Sequence, residues 1–192
     1  LYSESIGNSF TLPLTGLDSG TQYFYCAFAN NAMGTGVGEV YLFNTPSPEL
    51  NVSTTSLPDF GSVTVNTASP AQSFTLDGSA ILGDVIISVP TGFRLSVADA
   101  RTDLPRSDNQ ITISPSGGDI AQTTIDVWFQ PIEVAPYSGM ISISTEGLED
   151  QTITVSGTGV SLPVVTTSAV SDITTSSAVA GGNVTSDGGW QI

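Results

Sequence analysis

Apolar residues recur along this chain at every second position in short runs. Thr or Ser fill the positions between, and Gly, Pro, Asn or Asp close each run after about ten residues. No stretch repeats its apolar residues with the period of a helix. Candidate strands are residues 70–76 (Phe74, Leu76), 84–89 (Val85, Ile87, Val89), 93–97 (Phe93, Leu95, Val97) and 110–114 (Ile111, Ile113). They continue with 123–129 (Ile125, Val127, Phe129), 139–144 (Ile141, Ile143) and 151–156 (Ile153, Val155). Spacing by two sets the members of each group on one face of a strand. The abundance of Val, Ile and Thr suits a pleated, half-buried surface. The pattern predicts an all-β chain whose middle is an antiparallel sandwich of seven or eight strands. Its expected core is Phe74, Val85, Ile87, Phe93, Ile125, Val127, Phe129, Ile141, Ile143, Ile153 and Val155.

Two Pro-containing junctions punctuate the pattern. One is Thr45-Pro46-Ser47-Pro48, and the other runs from Gly157 through Val160 to Pro163. Pro holds itself and the residue before it extended, so both read as short, stiff linkers. They delimit a complete central domain, 47–160, between two shorter pieces, 1–46 and 161–192. Both chain ends read as cut from something longer.

The central segment resembles the immunoglobulin-like modules of the hydin and major-sperm-protein type. The resemblance is carried by Leu57-Pro58-Asp59-Phe60-Gly61-Ser62-Val63 and Ile125-Asp126-Val127-Trp128-Phe129-Gln130-Pro131, followed by Tyr137-Ser138-Gly139-Met140 and Val155-Ser156-Gly157-Thr158-Gly159. The first piece resembles the C-terminal half of a fibronectin type III domain. There Leu14-Thr15-Gly16-Leu17-Asp18-Ser19-Gly20-Thr21-Gln22-Tyr23 matches the turn and tyrosine corner, in which the Tyr hydroxyl bonds back to upstream backbone. Residues 29–36 resemble the loop before that fold's last strand. The final piece, with its Val/Thr-rich strand and Ala178-Val179-Ala180-Gly181-Gly182-Asn183-Val184, resembles the N-terminal half of the same fold. Together these resemblances imply immunoglobulin-like sandwiches in tandem, as in repeat regions of giant secreted proteins of Bacteroidetes-type bacteria. The location they imply is extracellular, at the cell surface.

Composition narrows the chemistry. Hydrophobic residues make up 39% and charged ones only 11%, and eighteen carboxylates against three arginines (Arg94, Arg101, Arg106) give a net charge of −15. Such a field repels nucleic acid and anionic lipid, and no apolar run is long enough to span a membrane as a helix. The chain has no His and no Lys, which removes the commonest general base, Schiff bases and Ser-Lys dyads. Its one cysteine, Cys26, lies in an apparent strand, Tyr23 to Phe28, with no candidate base nearby, and reads as a structural thiol. Gly34-Thr35-Gly36-Val37-Gly38 lacks the Lys and the helix of a phosphate loop and reads as a strand connection. We therefore expect no catalytic residues and no cofactor. Calcium is the alternative, with Asp99, Asp103 and Asp108 crowding one connection beside Asn109, and Glu146, Glu149 and Asp150 crowding another. Neither group has the alternate-residue spacing of a dedicated calcium loop, and the arginines among the first set are expected to form local ion pairs.

The resemblance also sorts faces. A core-facing Tyr23 turns Tyr25 and Ala27 inward and Phe24, Cys26 and Phe28 outward. The same alternation on the following strand puts Val40 and Leu42 inward and Tyr41 and Phe43 outward. Phe24, Cys26, Phe28, Tyr41 and Phe43 are thus expected on one exterior sheet face, where their usual meaning is a covered interface with a neighbouring domain or another chain. The expected function is a structural or adhesive repeat of an extracellular fibre or surface protein. Its expected partners are tandem neighbours or copies of itself, including a head-to-tail homopolymer. The alternative is an accessory glycan- or calcium-binding module of a secreted multidomain enzyme.

Overall fold

Period-two alternation resolves into fifteen strands and no helix among the described residues of the computed structural model, which covers 9–98 and 109–189. The chain is all-β. It divides into two units, Leu1–Glu49 and Leu50–Ile192.

In the first unit, β1 (Gln22–Tyr25) pairs antiparallel with β4 (Tyr41–Asn44), and between them β2 (Phe28–Asn31) pairs with β3 (Gly34–Val37). The two ribbons are nested. Tyr25 faces Tyr41 and Phe28 faces Val37, so three steps on one side oppose four on the other, as in a β-bulge. The Asp18 amide donates to the Tyr23 hydroxyl at 2.8 Å, and Thr45 ties the base of the ribbon through its hydroxyl to the Asp18 carbonyl. None of residues 9–49 is buried; Leu17, Tyr23 and Phe43 are among the few that are half-buried.

The second unit holds the remaining strands: β5 (Glu49–Val52, which begins at the last residue of the first unit), β6 (Ser62–Thr64), β7 (Gln72–Ser79), β8 (Val85–Ser88), β9 (Phe93–Val97), β10 (Gln110–Ile113), β11 (Ile120–Phe129), β12 (Pro136–Ser144), β13 (Gln151–Val160), β14 (Val164–Thr167) and β15 (Gly182–Ser186). A five-stranded sheet has the order β10-β8-β12-β13-β6, and a four-stranded sheet the order β5-β7-β11-β9. One apolar cluster draws on both. Val85, Ile87, Ile141, Ile143, Ile153 and Val155 come from the first sheet, and Phe74, Phe93, Ile125, Val127 and Phe129 from the second. All of the expected core residues are buried, and Leu50, Leu76, Leu95 and Ile120 join them. Each such side chain contributes about 1.5–3 kcal/mol by leaving water, which makes this cluster the dominant stabilising element of the unit.

Nine strands, β5 to β13, occupy the span for which seven or eight were expected, because β5 and β6 are too short to display alternation. The pairing is not wholly antiparallel either. After β5, Ser56 bridges in parallel to Thr154, and β6 runs parallel to β13. Gly61, at a φ of 70°, makes the turn into β6, and the Asp59 carboxylate receives the Gly61 amide and the Ser156 hydroxyl. The Phe60 ring enters the aromatic cluster 5.6 Å from Phe93 and 6.3 Å from Phe129. Phe129 is in turn 5.2 Å from Tyr137. The Tyr137 hydroxyl accepts the amides of Ile132 and Glu133, at 3.1 and 2.9 Å.

Past Val160 the chain forms a separate two-stranded sheet. Val165 faces Val184 and Thr167 faces Gly182, and every side chain from Leu162 to Asp187 is exposed.

Candidate interaction surface

The five residues expected on one face do not share it. Residues directly opposite in an antiparallel pair point to the same side. Tyr23 is opposite Phe43 and Tyr25 opposite Tyr41, whereas Phe24 is opposite Leu42. The β1–β4 ribbon therefore has an aromatic face of Tyr23, Tyr25, Tyr41 and Phe43, and a second face with Phe24 and Leu42. This corrects the placement of Tyr41 and Phe43 alongside Phe24, and of Leu42 on the Tyr23 side. Both alternating sets of the β4 segment are apolar, so alternation alone does not select one, and a one-residue slip exchanges every side chain between faces.

Phe28 lies on a different strand from Phe24. The expected single strand from Tyr23 to Phe28 ends at Tyr25, and Cys26 sits in the link to β2 as an exposed free thiol. Phe28 pairs with Val37, and with Phe10 they line a shallow hollow floored by Ala27, Ala29, Gly36 and Gly38. The segment expected to be a loop at 29–36 is largely this β2–β3 hairpin. Its tip, Met33, is 94% exposed.

The aromatic face is internally organised. Tyr23 and Phe43 stack with centroids 5.7 Å apart, Tyr25 lies 6.0 Å from Tyr41, and Tyr25 meets Phe43 edge-on at 6.2 Å. Tyr25 and Tyr41 remain more than half exposed. At the rim the Tyr41 hydroxyl donates to the Glu39 carboxylate at 3.1 Å. On the other side of the ribbon Phe24 is 65% and Leu42 58% exposed. Tyr25 and Leu42 are surface residues that sequence reading missed, and the signal for them is the pairing register set by the bulge.

A second apolar surface is the β14–β15 ribbon, within the segment expected to meet a neighbouring copy. Val164, Val165 and Val184 are exposed there, as are Val170, Ile173 and Val179 in the connection. Among the described residues, most of the exposed large hydrophobic side chains lie in 9–49 and 161–189, although these stretches are together shorter than the span between them.

Of the acidic candidates, Asp99, Asp103 and Asp108 lie outside the described residues, as do Arg101 and Arg106. Arg94 donates to neutral oxygens, the Asn109 side chain at 2.7 Å and the Phe93 carbonyl at 2.9 Å. Glu146, Glu149 and Asp150 occupy the turn between β12 and β13. Chemically, the organised feature of this molecule is apolar and aromatic area on narrow ribbons, suited to association through packing. No known family profile matches the chain, and comparison with curated proteins finds no match.

Proposed function

We propose that this chain is a structural or adhesive repeat unit of an extracellular surface protein or fibre. In this reading its central span is an immunoglobulin-like sandwich, and its two flanking ribbons are portions of similar sandwiches completed by neighbouring domains or by further copies. One observation carries the reading: a span with a full apolar core lies between two ribbons that leave their apolar side chains in water. Exposed apolar side chains gathered on one element usually mark a contact surface, and a ribbon of two strands is at best marginally stable until something covers it. The Tyr23 and Tyr137 hydroxyls, each receiving backbone amides four or five residues upstream, support an immunoglobulin-like reading of both segments. The absence of His and Lys from the sequence accords with a role in contact and not in catalysis.

The test is sedimentation and negative-stain electron microscopy of the purified chain at rising concentration. Linear, concentration-dependent assemblies are expected. A monodisperse monomer at every concentration would remove self-assembly from the proposal.

A further inference from the structure

We infer that residues 9–15 are an edge strand without a ladder, and that they pair with the same segment of a second copy of this chain about a two-fold axis at Leu12.

The segment is extended throughout. It has no turn or bend before Gly16, none of its residues has a positive φ, and Pro13 holds Leu12 extended. Its apolar residues, Phe10, Leu12 and Leu14, stand at every second position and are each more than half exposed. Among the described residues no backbone hydrogen bond reaches 9–15, so a strand with a sorted apolar face has nothing beside it.

Pro13 decides which edge is open. In a strand the N–H and C=O of one residue point to one edge, and those of the next residue to the other. Ser9, Thr11, Pro13 and Thr15 share an edge, and the missing N–H of Pro13 breaks its row of donors. Phe10, Leu12 and Leu14 form the other edge, where every donor and acceptor is intact. The segment therefore takes one partner, on that side.

The pattern is its own complement, which points to a second copy. Laid antiparallel on itself with Leu12 opposite Leu12, the segment sets Phe10 opposite Leu14 at both ends. Every cross-strand pair on the apolar face is then apolar, and each is of the kind that exchanges both N–H···O bonds. Pro13 falls opposite Thr11, where no donor is required of it. A slip of one residue would set Leu12 against Pro13 and undo both matches. The net charge of −15 opposes any meeting of two copies, but 9–17 has no ionisable side chain, so this contact buries no carboxylate. A contact of this kind uses one surface twice and closes at two chains, which sets it apart from the linear assembly proposed above.

Cysteine trapping in a Cys26→Ser background reads the register directly. Phe10→Cys, Leu12→Cys and Leu14→Cys are each oxidised gently and separated without reductant. Directly opposite residues in a hydrogen-bonded pair have Cα atoms about 5.5 Å apart, within disulfide reach, whereas two copies of position 10, or of position 14, lie about 13 Å apart. About tenfold more dimer is therefore expected from Leu12→Cys than from either of the others alone. A mixture of Phe10→Cys and Leu14→Cys chains is expected to give the joined 10–14 peptide by mass spectrometry. Equal yields from all three single variants, as random collision gives, overturn the pairing, and so does a lack of dimer from Leu12→Cys at every concentration. Proline supplies a second measurement that needs no thiol. Leu12→Pro removes the donor on the axis, and Thr11→Pro removes one on the edge already broken. Sedimentation is expected to show dimerisation weakened about tenfold or more by Leu12→Pro and unchanged by Thr11→Pro. Equal effects overturn the choice of edge. Longer assemblies of the parent chain are scored in the same runs, so the two-fold contact and the linear one fail or stand separately.

Discussion

At the scale of single residues, the glycines of Val155-Ser156-Gly157-Thr158-Gly159 have a spatial cause. A Cβ at Gly157 would stand 2.7 Å from the Phe129 ring, and one at Gly159 would strike the Glu133 carbonyl oxygen. Phe129 is fully buried and wedged among Phe60, Phe93 and Tyr137, so its ring has nowhere to retreat. Gly157→Ala is expected to destabilise the second unit by about 1–3 kcal/mol through overpacking, read as a lower urea midpoint at unchanged slope. Tyr137→Phe keeps the ring and removes the acceptor for two amides. The expected loss is about 1 kcal/mol by the same measurement, because those amides lie near the surface and regain water. A loss as large as that of a core truncation would mean that the ring itself had shifted.

At the scale of elements, the two kinds of strand differ in what backs them. β11 and β12 place alternate side chains in a shared core, while β1, β4, β14 and β15 rest on little but their own hydrogen bonds. Amide exchange of the dilute chain is therefore expected to be fast over 22–44 and 164–186 and slow over 120–129 and 136–144, since exchange tracks local opening. Equal protection of all four segments would contradict the account of the ribbons as unsupported. The same contrast explains what was legible in the sequence. In 70–156, where one side of each strand is apolar and the other mostly polar, alternation names the core correctly down to Ile153 and Val155. Strand ends were less legible. β11 begins at Ile120 and β13 runs to Val160, because a ladder continues through polar residues and glycines once a partner is present. The β1–β4 register was illegible for the opposite reason. Tyr, Phe and Leu fill both phases there, so only the bulge between Tyr25 and Phe28 and its partner strand reveals which rings meet.

At the scale of the whole molecule, charge and apolar ribbons pull association in opposite directions. The Debye length falls from about 30 Å at 0.01 M salt to about 8 Å at 0.15 M, which screens repulsion between −15 chains while leaving apolar burial intact. Assembly is thus expected to strengthen as salt rises through this range, measured as weight-average mass by sedimentation. Weakening would point to ion pairs and not apolar faces at the joint. Finally, the parallel pairing of β6 with β13 determines how a strung-out array would bear tension. The chain enters the span through β5 in the other sheet, but β6, which follows it, and β13, which leaves the span, lie side by side and point the same way, joined by bonds such as Thr158 to Gly61 and Val65 to Val160, with Phe60 to Ser156 and Leu57 to Thr154 continuing the seam. Stretching the polypeptide draws β6 backward and β13 forward along their common axis, so the seam is sheared and its bonds share the pull together. An antiparallel hairpin tugged at its open end would yield one bond at a time. The central span is thereby built to lengthen little under a steady pull, while the ribbons flanking it, lacking such a seam, give way first.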